Sequence, residues 1–264
     1  MNCIDVLSAE KIKSLLSDRA KKLIIECRSK VTSTNNILKE NTAQAECVLI
    51  AQSQTAGKGR LGRSFFSPDD TGLYLSILLK PDFSVDKLPL LTPAAAVAAC
   101  RALEKQGCSP KIKWVNDLYI NNRKVCGILT ETVYSKDNQI NVIVGIGINI
   151  YAPESGFPED ISSIAGNVFE KRQKNLRNKI AADFINFFMD FYSNIEKRTF
   201  LSDYKGKSCV TGQYINVLKA GECTPAYALD INDDCQLVVR YNDGTTESLY
   251  SGEISIRIDN KKEV

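Results

Sequence analysis

Gln54-Thr55-Ala56-Gly57-Lys58-Gly59-Arg60-Leu61-Gly62-Arg63 sets three glycines and three cations in a run with no apolar periodicity. Such a segment can bend closely around an anion and offer it backbone N–H groups together with full positive charges. The plainer reading is a flexible surface loop with solvated charges. The spacing Gly57-x-Gly59-x-x-Gly62 coincides with the dinucleotide fingerprint, which works only where the glycines open a helix facing a pyrophosphate. Here Phe65-Phe66-Ser67-Pro68-Asp69-Asp70 reads as a turn, and Leu73-Tyr74-Leu75-Ser76-Ile77-Leu78-Leu79 as a strand. No helix fits between them, so a doubly wound nicotinamide-type fold is set aside. Upstream, Cys47-Val48-Leu49-Ile50-Ala51 reads as a buried strand, and the basic loop therefore joins two strands.

The chain has 264 residues, 44% hydrophobic and 25% charged, which suits one large domain or a domain with a small appendage. A net charge of +3 is too small to imply nucleic-acid binding, although the local basic loop can attract a small anion. No apolar run approaches the roughly 20 residues of a membrane span. Met1-Asn2-Cys3-Ile4-Asp5 lacks the basic start and apolar core of a secretory signal, so a cytoplasmic location is expected. The nine cysteines are scattered without a Cys-x-x-Cys pair, which predicts reduced, mostly buried thiols rather than a zinc site or a disulfide framework. The chain has no histidine. That removes the usual general base and every Ser-His or Cys-His nucleophile, leaving Lys, Arg, carboxylates, amides and backbone for any chemistry.

Residues 8–20 read as an amphipathic helix capped by Ser8, and Leu23 to Cys27 as a strand. Ser33-Thr34-Asn35 opens a helix through Glu40; its hydroxyls serve as a simple N-cap or, with the helix N-terminal N–H groups, hold a polar ligand group. Thr92-Pro93 followed by 94–106 and Gly107 predicts a helix capped by Thr92. Lys111 to Trp114 and Val125 to Glu131 are strands joined across Asn116-Asp117 and an Asn121-Asn122 turn. Lys113, beside the only tryptophan, either snorkels or serves a site. In Asn141 to Ile150, alternation puts Gly145 and Gly147 on one face, leaving a slot for a flat ligand or close packing against another element. Apolar residues from Leu176 to Ile195 recur at helical spacing and mark a long core helix. After about Tyr204, short strands at Ser208–Thr211, Ile215–Leu218, Thr224–Ile231, Gln236–Tyr241, Thr245–Tyr250 and Glu253–Ile258 read as a small all-β barrel.

Taken in order, Ser33-Thr34-Asn35, the Gln54–Arg63 loop, Lys113-Trp114-Val115-Asn116-Asp117, Arg123-Lys124-Val125-Cys126-Gly127-Ile128-Leu129, Gly145-Ile146-Gly147-Ile148-Asn149 and Gly252-Glu253-Ile254-Ser255 resemble the motifs of biotin protein ligases. The resemblance covers roughly residues 23–258. Val115 departs from it, where the family usually has proline. This loosens the expected loop geometry but removes no functional group. The resemblance implies a mixed α/β catalytic domain over residues 1–205, related to class II aminoacyl-tRNA synthetases and lipoate ligases, and an SH3-like barrel over 206–264. Some family members carry an N-terminal DNA-binding domain. Too few residues precede Ser33 for one here, so no DNA partner and no repressor role are expected.

The implied reaction has two steps: biotin's carboxylate attacks the α-phosphorus of ATP, and a carrier-protein lysine then attacks the biotinyl-adenylate. By match to the motifs, Ser33, Thr34, Asn35 and Gln54 hold the ureido end of biotin. Lys58, Gly59 and Arg60 close over carboxylate and phosphate, and Lys113 bridges the two reacting anions. Gly57, Lys58, Arg60, Arg63, Phe65, Asn116 and Asn149 meet ATP, with Phe65 against adenine. Fixed cations and N–H donors of this kind neutralise charge developing on phosphorus, each worth about 3–4 kcal/mol of barrier. Mg2+ is expected with ATP, held chiefly by phosphate oxygens and water, with no protein ligand assigned. The implied acceptor is the biotin carboxyl carrier domain of acetyl-CoA carboxylase, and a homodimer is left open. The alternatives are a lipoate protein ligase, which shares the core, and a non-catalytic biotin or nucleotide sensor.

Overall fold

The computed structural model describes residues 5–42, 45–135, 139–219, 221–250 and 254–258. Cys3, Gly252 and Glu253, named above, lie outside them. Seven strands form the main sheet: β1 (Ile24–Val31), β2 (Cys47–Gln54), β3 (Gly72–Leu79), β4 (Lys111–Lys113), β5 (Asp117–Ile120), β6 (Arg123–Tyr134) and β7 (Ile140–Asn149), in the order β1-β2-β3-β7-β6-β5-β4. Only the β1–β2 pair is parallel. β3 is buried along its whole length and β7 nearly so, which explains their almost unbroken apolar sequence.

Strand alternation divides what covers the sheet. Val142, Val144, Ile146 and Ile148 join the large core with α3 (Leu91–Glu104) and α5 (Leu176–Ser193), whereas Ile143 packs with Leu49, Leu78 and Leu38 of α2 (Thr34–Glu40). The buried alanines of α3 and the buried phenylalanines of α5, Phe184, Phe188 and Phe191, let the two helices sit close on one face. The opposite face is left to α2 and the basic loop.

Several expected boundaries move for identifiable reasons. Helix α1 (Ala9–Ser14) is capped by Ser8 as expected but ends six residues early. The Ser14 hydroxyl bonds back to the Lys11 carbonyl, and the Ser17 N–H is taken by Asn186 of α5. Thr92 does not cap α3: a 3-10 turn, Val85–Leu90, leads into the helix at Leu91, and the Thr92 hydroxyl instead meets Thr130 at 2.8 Å. Gly107, at φ 83°, does follow its end. A separate strand, β5, lies between β4 and β6, with Asn121 and Asn122 both left-handed in the hairpin turn. Ser208–Thr211 is a turn held by the Ser208 hydroxyl, not a strand.

Beyond the short helices α4 (Glu159–Ser162) and α6 (Leu201–Gly206), strands β8 (Tyr214–Lys219), β9 (Glu222–Ile231), β10 (Leu237–Tyr241), β11 (Thr246–Leu249) and β12 (Ile254–Ile258) form an antiparallel sheet ordered β11-β10-β9-β8-β12. Together with α6 and the turn that follows it, this sheet holds the edge of the main sheet. Trp114 Nε1 donates to the Cys235 carbonyl at 2.9 Å, the buried Tyr204 hydroxyl donates to the Val115 carbonyl at 2.9 Å, and Ile112 bonds Lys207 and Cys209 through its backbone. The peptide between Trp114 and Val115 is cis. The eight described cysteines are free, and burial pushes the thiols of Cys27 and Cys47 up to about 11. No helix among the described residues is long and apolar enough to cross a membrane.

Candidate active site

A cleft of about 720 Å³ opens on the face of the main sheet opposite α3 and α5, within the usual size for small-molecule sites. Its floor is set by strand register. Gly127, Gly147 and Tyr74 lie in one row across β6, β7 and β3, and Leu129, Gly145 and Ser76 in the neighbouring row on the same face. The bare glycines turn out to seat protein groups. A Cβ at Gly147 would stand 2.7 Å from Phe65 Cζ, and one at Gly145 would stand 2.9 Å from Asn35 Cγ. The slot is therefore occupied by the Phe65 ring and the Asn35 amide, and those two groups form the surface that a ligand meets.

One end of the cleft is neutral and densely hydrogen-bonded. Ser33 caps α2 and Thr34 and Asn35 form its first turn, all three nearly fully buried. Gln54, at the end of β2, accepts from the Thr34 N–H at 2.8 Å and from its hydroxyl at 3.1 Å, and donates to Ser67 at 2.9 Å. The buried Ser76 hydroxyl lies 2.7 Å from that of Thr34 and 2.5 Å from Asn35 Oδ1. Glu131 closes the set, accepting from Asn35 Nδ2 at 2.8 Å and pairing with Lys39 at 2.5 Å.

The other end is basic. Residues 57–65 fold into a small hairpin, closed by Phe65 N–H to the Gly57 carbonyl at 2.9 Å and Gly59 N–H to the Arg63 carbonyl at 2.7 Å. Gly57 sits at its base, where a Cβ would lie 2.7 Å from Ser67 Oγ and 3.0 Å from Gln54 Nε2. Lys58, Arg60, Arg63, Lys113 and Lys124 line the cleft against one carboxylate, Asp117, an imbalance that favours an anion. Arg60 Nη1 donates to Asn116 Oδ1 at 3.0 Å, while its Nη2 is buried without a hydrogen-bond partner. Burial pulls the Arg60 guanidinium below its ordinary pKa, against the pull of Asp117. Lys124 pairs with one oxygen of Asp117 at 2.7 Å, and the other oxygen is buried and unpartnered. Lys113 lies 5.4 Å over the Tyr119 ring.

Of the residues expected from sequence, Ser33, Thr34, Asn35, Gln54, Lys58, Gly59, Arg60, Arg63, Phe65, Lys113 and Asn116 line this one cleft. Gly57 lies beneath the hairpin. Asn149, 8% exposed at the end of β7, is outside the lining and donates to the Gly166 carbonyl at 3.0 Å. Lys124, Asp117, Tyr119 and Glu131 were missed. Glu131 points to the cleft side by alternation with Gly127 and Leu129 along β6, a signal present in the sequence once the strand's facing is known. Lys124, of opposite parity, is brought there by a register shift against β5 that pairs it with Tyr119. Among the described residues no three His, Cys, Asp or Glu side chains are grouped to hold a metal ion.

The chain belongs to the biotin/lipoate A/B protein ligase family, which matches residues 25–149. The biotin protein ligase C-terminal domain matches residues 211–257, so the two together span well over half of the chain. It is 29% identical over 253 residues to the bifunctional ligase/repressor BirA of Bacillus subtilis, covering 86% of this chain and 71% of that protein. It is 26% identical over 214 residues to the biotin acetyl-CoA-carboxylase ligase of Mycobacterium tuberculosis, covering 78% and 77%. The biotin protein ligase of Aquifex aeolicus, solved with biotin and ATP, superposes with a TM-score of 0.75 at 27% identity, over 89% of this chain and 99% of that one.

Proposed function

We propose that this chain is an ATP-dependent biotin protein ligase, which activates biotin as biotinyl-adenylate and transfers it to a lysine of a biotin carboxyl carrier protein. The carrying observation is one cleft with a neutral hydrogen-bonding end beside a five-cation end. The neutral end suits the cyclic urea of biotin, whose valerate carboxylate then reaches the cations. There its oxygen attacks the α-phosphorus of ATP, and the bond to the β-phosphate bridging oxygen breaks to release pyrophosphate. The carrier's amine next attacks the acyl carbon and loses a proton, and AMP leaves. Magnesium enters as part of the nucleotide substrate, and the protein's part is to fix charge and exclude water.

Two lysines compete for the bridge between the reacting anions. Lys113 sits against Tyr119 on the short edge strand β4. Lys124 is less than a third exposed, anchored on Asp117, and lies close to where Gly127 meets Phe65, since a Cβ there would be 3.5 Å from Lys124 Nζ and 3.2 Å from Phe65 Cε2. The geometry favours Lys124 for the bridge and Lys113 for an outer phosphate contact. Arg60, with Nη2 uncommitted, is the clamp. Phe65 and Asn116 take the adenosine, with Arg63 at the phosphates. Acetyl-CoA carboxylase is the proposed source of the acceptor domain.

Biotin-dependent pyrophosphate release from ATP tests the reading. A ligase releases pyrophosphate with biotin alone and accelerates on adding apo-carrier domain. Equal release with and without biotin would overturn it, and a response to lipoate in place of biotin would move the chain to the lipoate branch.

A further inference from the structure

We infer that Glu131 is a positioning residue: it fixes the direction of the hydrogen bonds around the neutral pocket, so that the pocket presents acceptors to the two N–H groups of a cyclic urea. This rests on the biotin ligase reading and specifies how that pocket selects its ligand.

Asn35 is an amide and could be turned either way; what surrounds it decides. Both its N–H bonds are directed at β6, one to Glu131 Oε2 at 2.8 Å and one towards the Leu129 carbonyl at 3.4 Å. Neither a carboxylate nor a backbone carbonyl can donate, so the amide nitrogen must face β6. Oδ1 is then left facing Gly145 and Ser76, whose hydroxyl donates to it. Thr34 gives its own hydroxyl proton to Gln54 Oε1, so the Ser76 proton serves both Asn35 Oδ1 at 2.5 Å and Thr34 Oγ1 at 2.7 Å. Gln54 Nε2 is committed to Ser67, whose own proton goes to the Phe65 carbonyl at 3.0 Å. Its oxygen consequently points to Thr34 and the cleft. The polarity that begins at Glu131 thus leaves Asn35 Oδ1 and Gln54 Oε1 as acceptors beside a helix start whose Ser33 hydroxyl keeps its proton.

A cyclic urea offers two N–H donors and one carbonyl acceptor, the complement of that set. A dithiolane ring offers no donor, and a site built to bond donors rejects a ligand without them strongly. Glu131 is held in place by Lys39 at 2.5 Å on its other oxygen. It does not line the cleft and acts through Asn35.

Glu131→Gln keeps the shape and removes the rule, because a glutamine can donate as well as accept and Asn35 can then turn over. In the full-length chain, biotin Kd by titration calorimetry should rise about tenfold or more, roughly the worth of one misdirected buried hydrogen bond. KM for ATP should stay within twofold, and Glu131→Asp should recover part of the loss. Lys39→Ala, which loosens the carboxylate without touching the pocket, should give the same pattern at smaller amplitude and serves if the first variant does not fold. Unchanged biotin affinity in both variants overturns the inference while leaving the ligase reading intact. Parallel loss of biotin and ATP affinity with a lowered Tm also overturns it, since that is what a merely structural role produces. No biotin binding by the unmodified chain would instead sink the ligase reading beneath it.

Discussion

The two ends of the cleft treat their polar atoms in opposite ways. Around α2, the amides and hydroxyls of Thr34, Asn35, Gln54 and Ser76 are engaged with one another and with Glu131 before any ligand arrives. At the basic end, Arg60 Nη2 and Asp117 Oδ1 are buried and unpartnered, two of the three such side-chain atoms among the described residues. A buried polar atom left unpaired costs about 1–3 kcal/mol. The comparison teaches that recognition and chemistry are separated here. The end that identifies the small acid is set by folding, whereas the end that handles phosphate holds stored cost at Arg60 Nη2 that an anion's oxygens can relieve, and at Asp117 Oδ1, which needs a donor instead.

Breaking the basic end should have the largest effect. Lys124→Ala is expected to lower biotin-dependent pyrophosphate release about 100-fold or more, and Lys113→Ala about tenfold, with calorimetric biotin affinity little changed in either. If Lys113→Ala proves the more severe, the bridging role returns to β4. Next come two glycine substitutions that read the ends separately. Gly145→Ala drives a methyl into the Asn35 amide and should weaken biotin about tenfold. Gly147→Ala drives one into the Phe65 ring and should raise KM for ATP by a similar factor, each with an overpacking cost of about 1–3 kcal/mol. Steady-state kinetics with each substrate varied in turn would blur the comparison if both substitutions hit both substrates alike.

Trypsin gives a smaller, graded test. The hairpin exposes Leu61 at 65% and carries Lys58, Arg60 and Arg63. Cleavage there should slow several-fold when biotin and ATP neutralise the three like charges; equal rates would mean that the hairpin does not close on ligand. The smallest effect is expected where the main sheet meets the second one. Trp114→Phe removes one buried hydrogen bond to Cys235, so Tm should fall by about 2–4 °C, the equivalent of about 1 kcal/mol, by calorimetry.

Much of the site was legible because its parts are local. Ser33-Thr34-Asn35 is a cap followed by a first turn, and the basic hairpin is one continuous run, so residue type and spacing suffice. What stayed hidden depends on register between distant strands. Glu131 meets Asn35 only because β6, β7 and β3 align Leu129, Gly145 and Ser76, and no spacing in the chain announces that. The glycines of β7 announce a slot, for a flat ligand or for a packed neighbour, but what fills it, Phe65 and Asn35, comes from elsewhere in the chain. The early end of α1 and the misassigned cap of α3 have the same origin: tertiary bonds from Asn186 and Thr130 and a preceding 3-10 turn overrode good local signals.

The grip of the second sheet on β4 bears on how the chain comes off the ribosome. The segment Lys113 to Asn116 contributes Lys113, Trp114 and Asn116 to the cleft lining, yet Ile112 before it and Trp114 and Val115 within it are bonded to Lys207, Cys209, Cys235 and Tyr204. β4 lies at the edge of its sheet, paired to β5 alone within it. Domains form as synthesis proceeds from the N-terminus, but this strand cannot acquire its full set of bonds until Cys235 has been made. A nascent chain halted before that residue would carry the α2 pocket's residues and the basic hairpin while the wall between them still lacked its outer support.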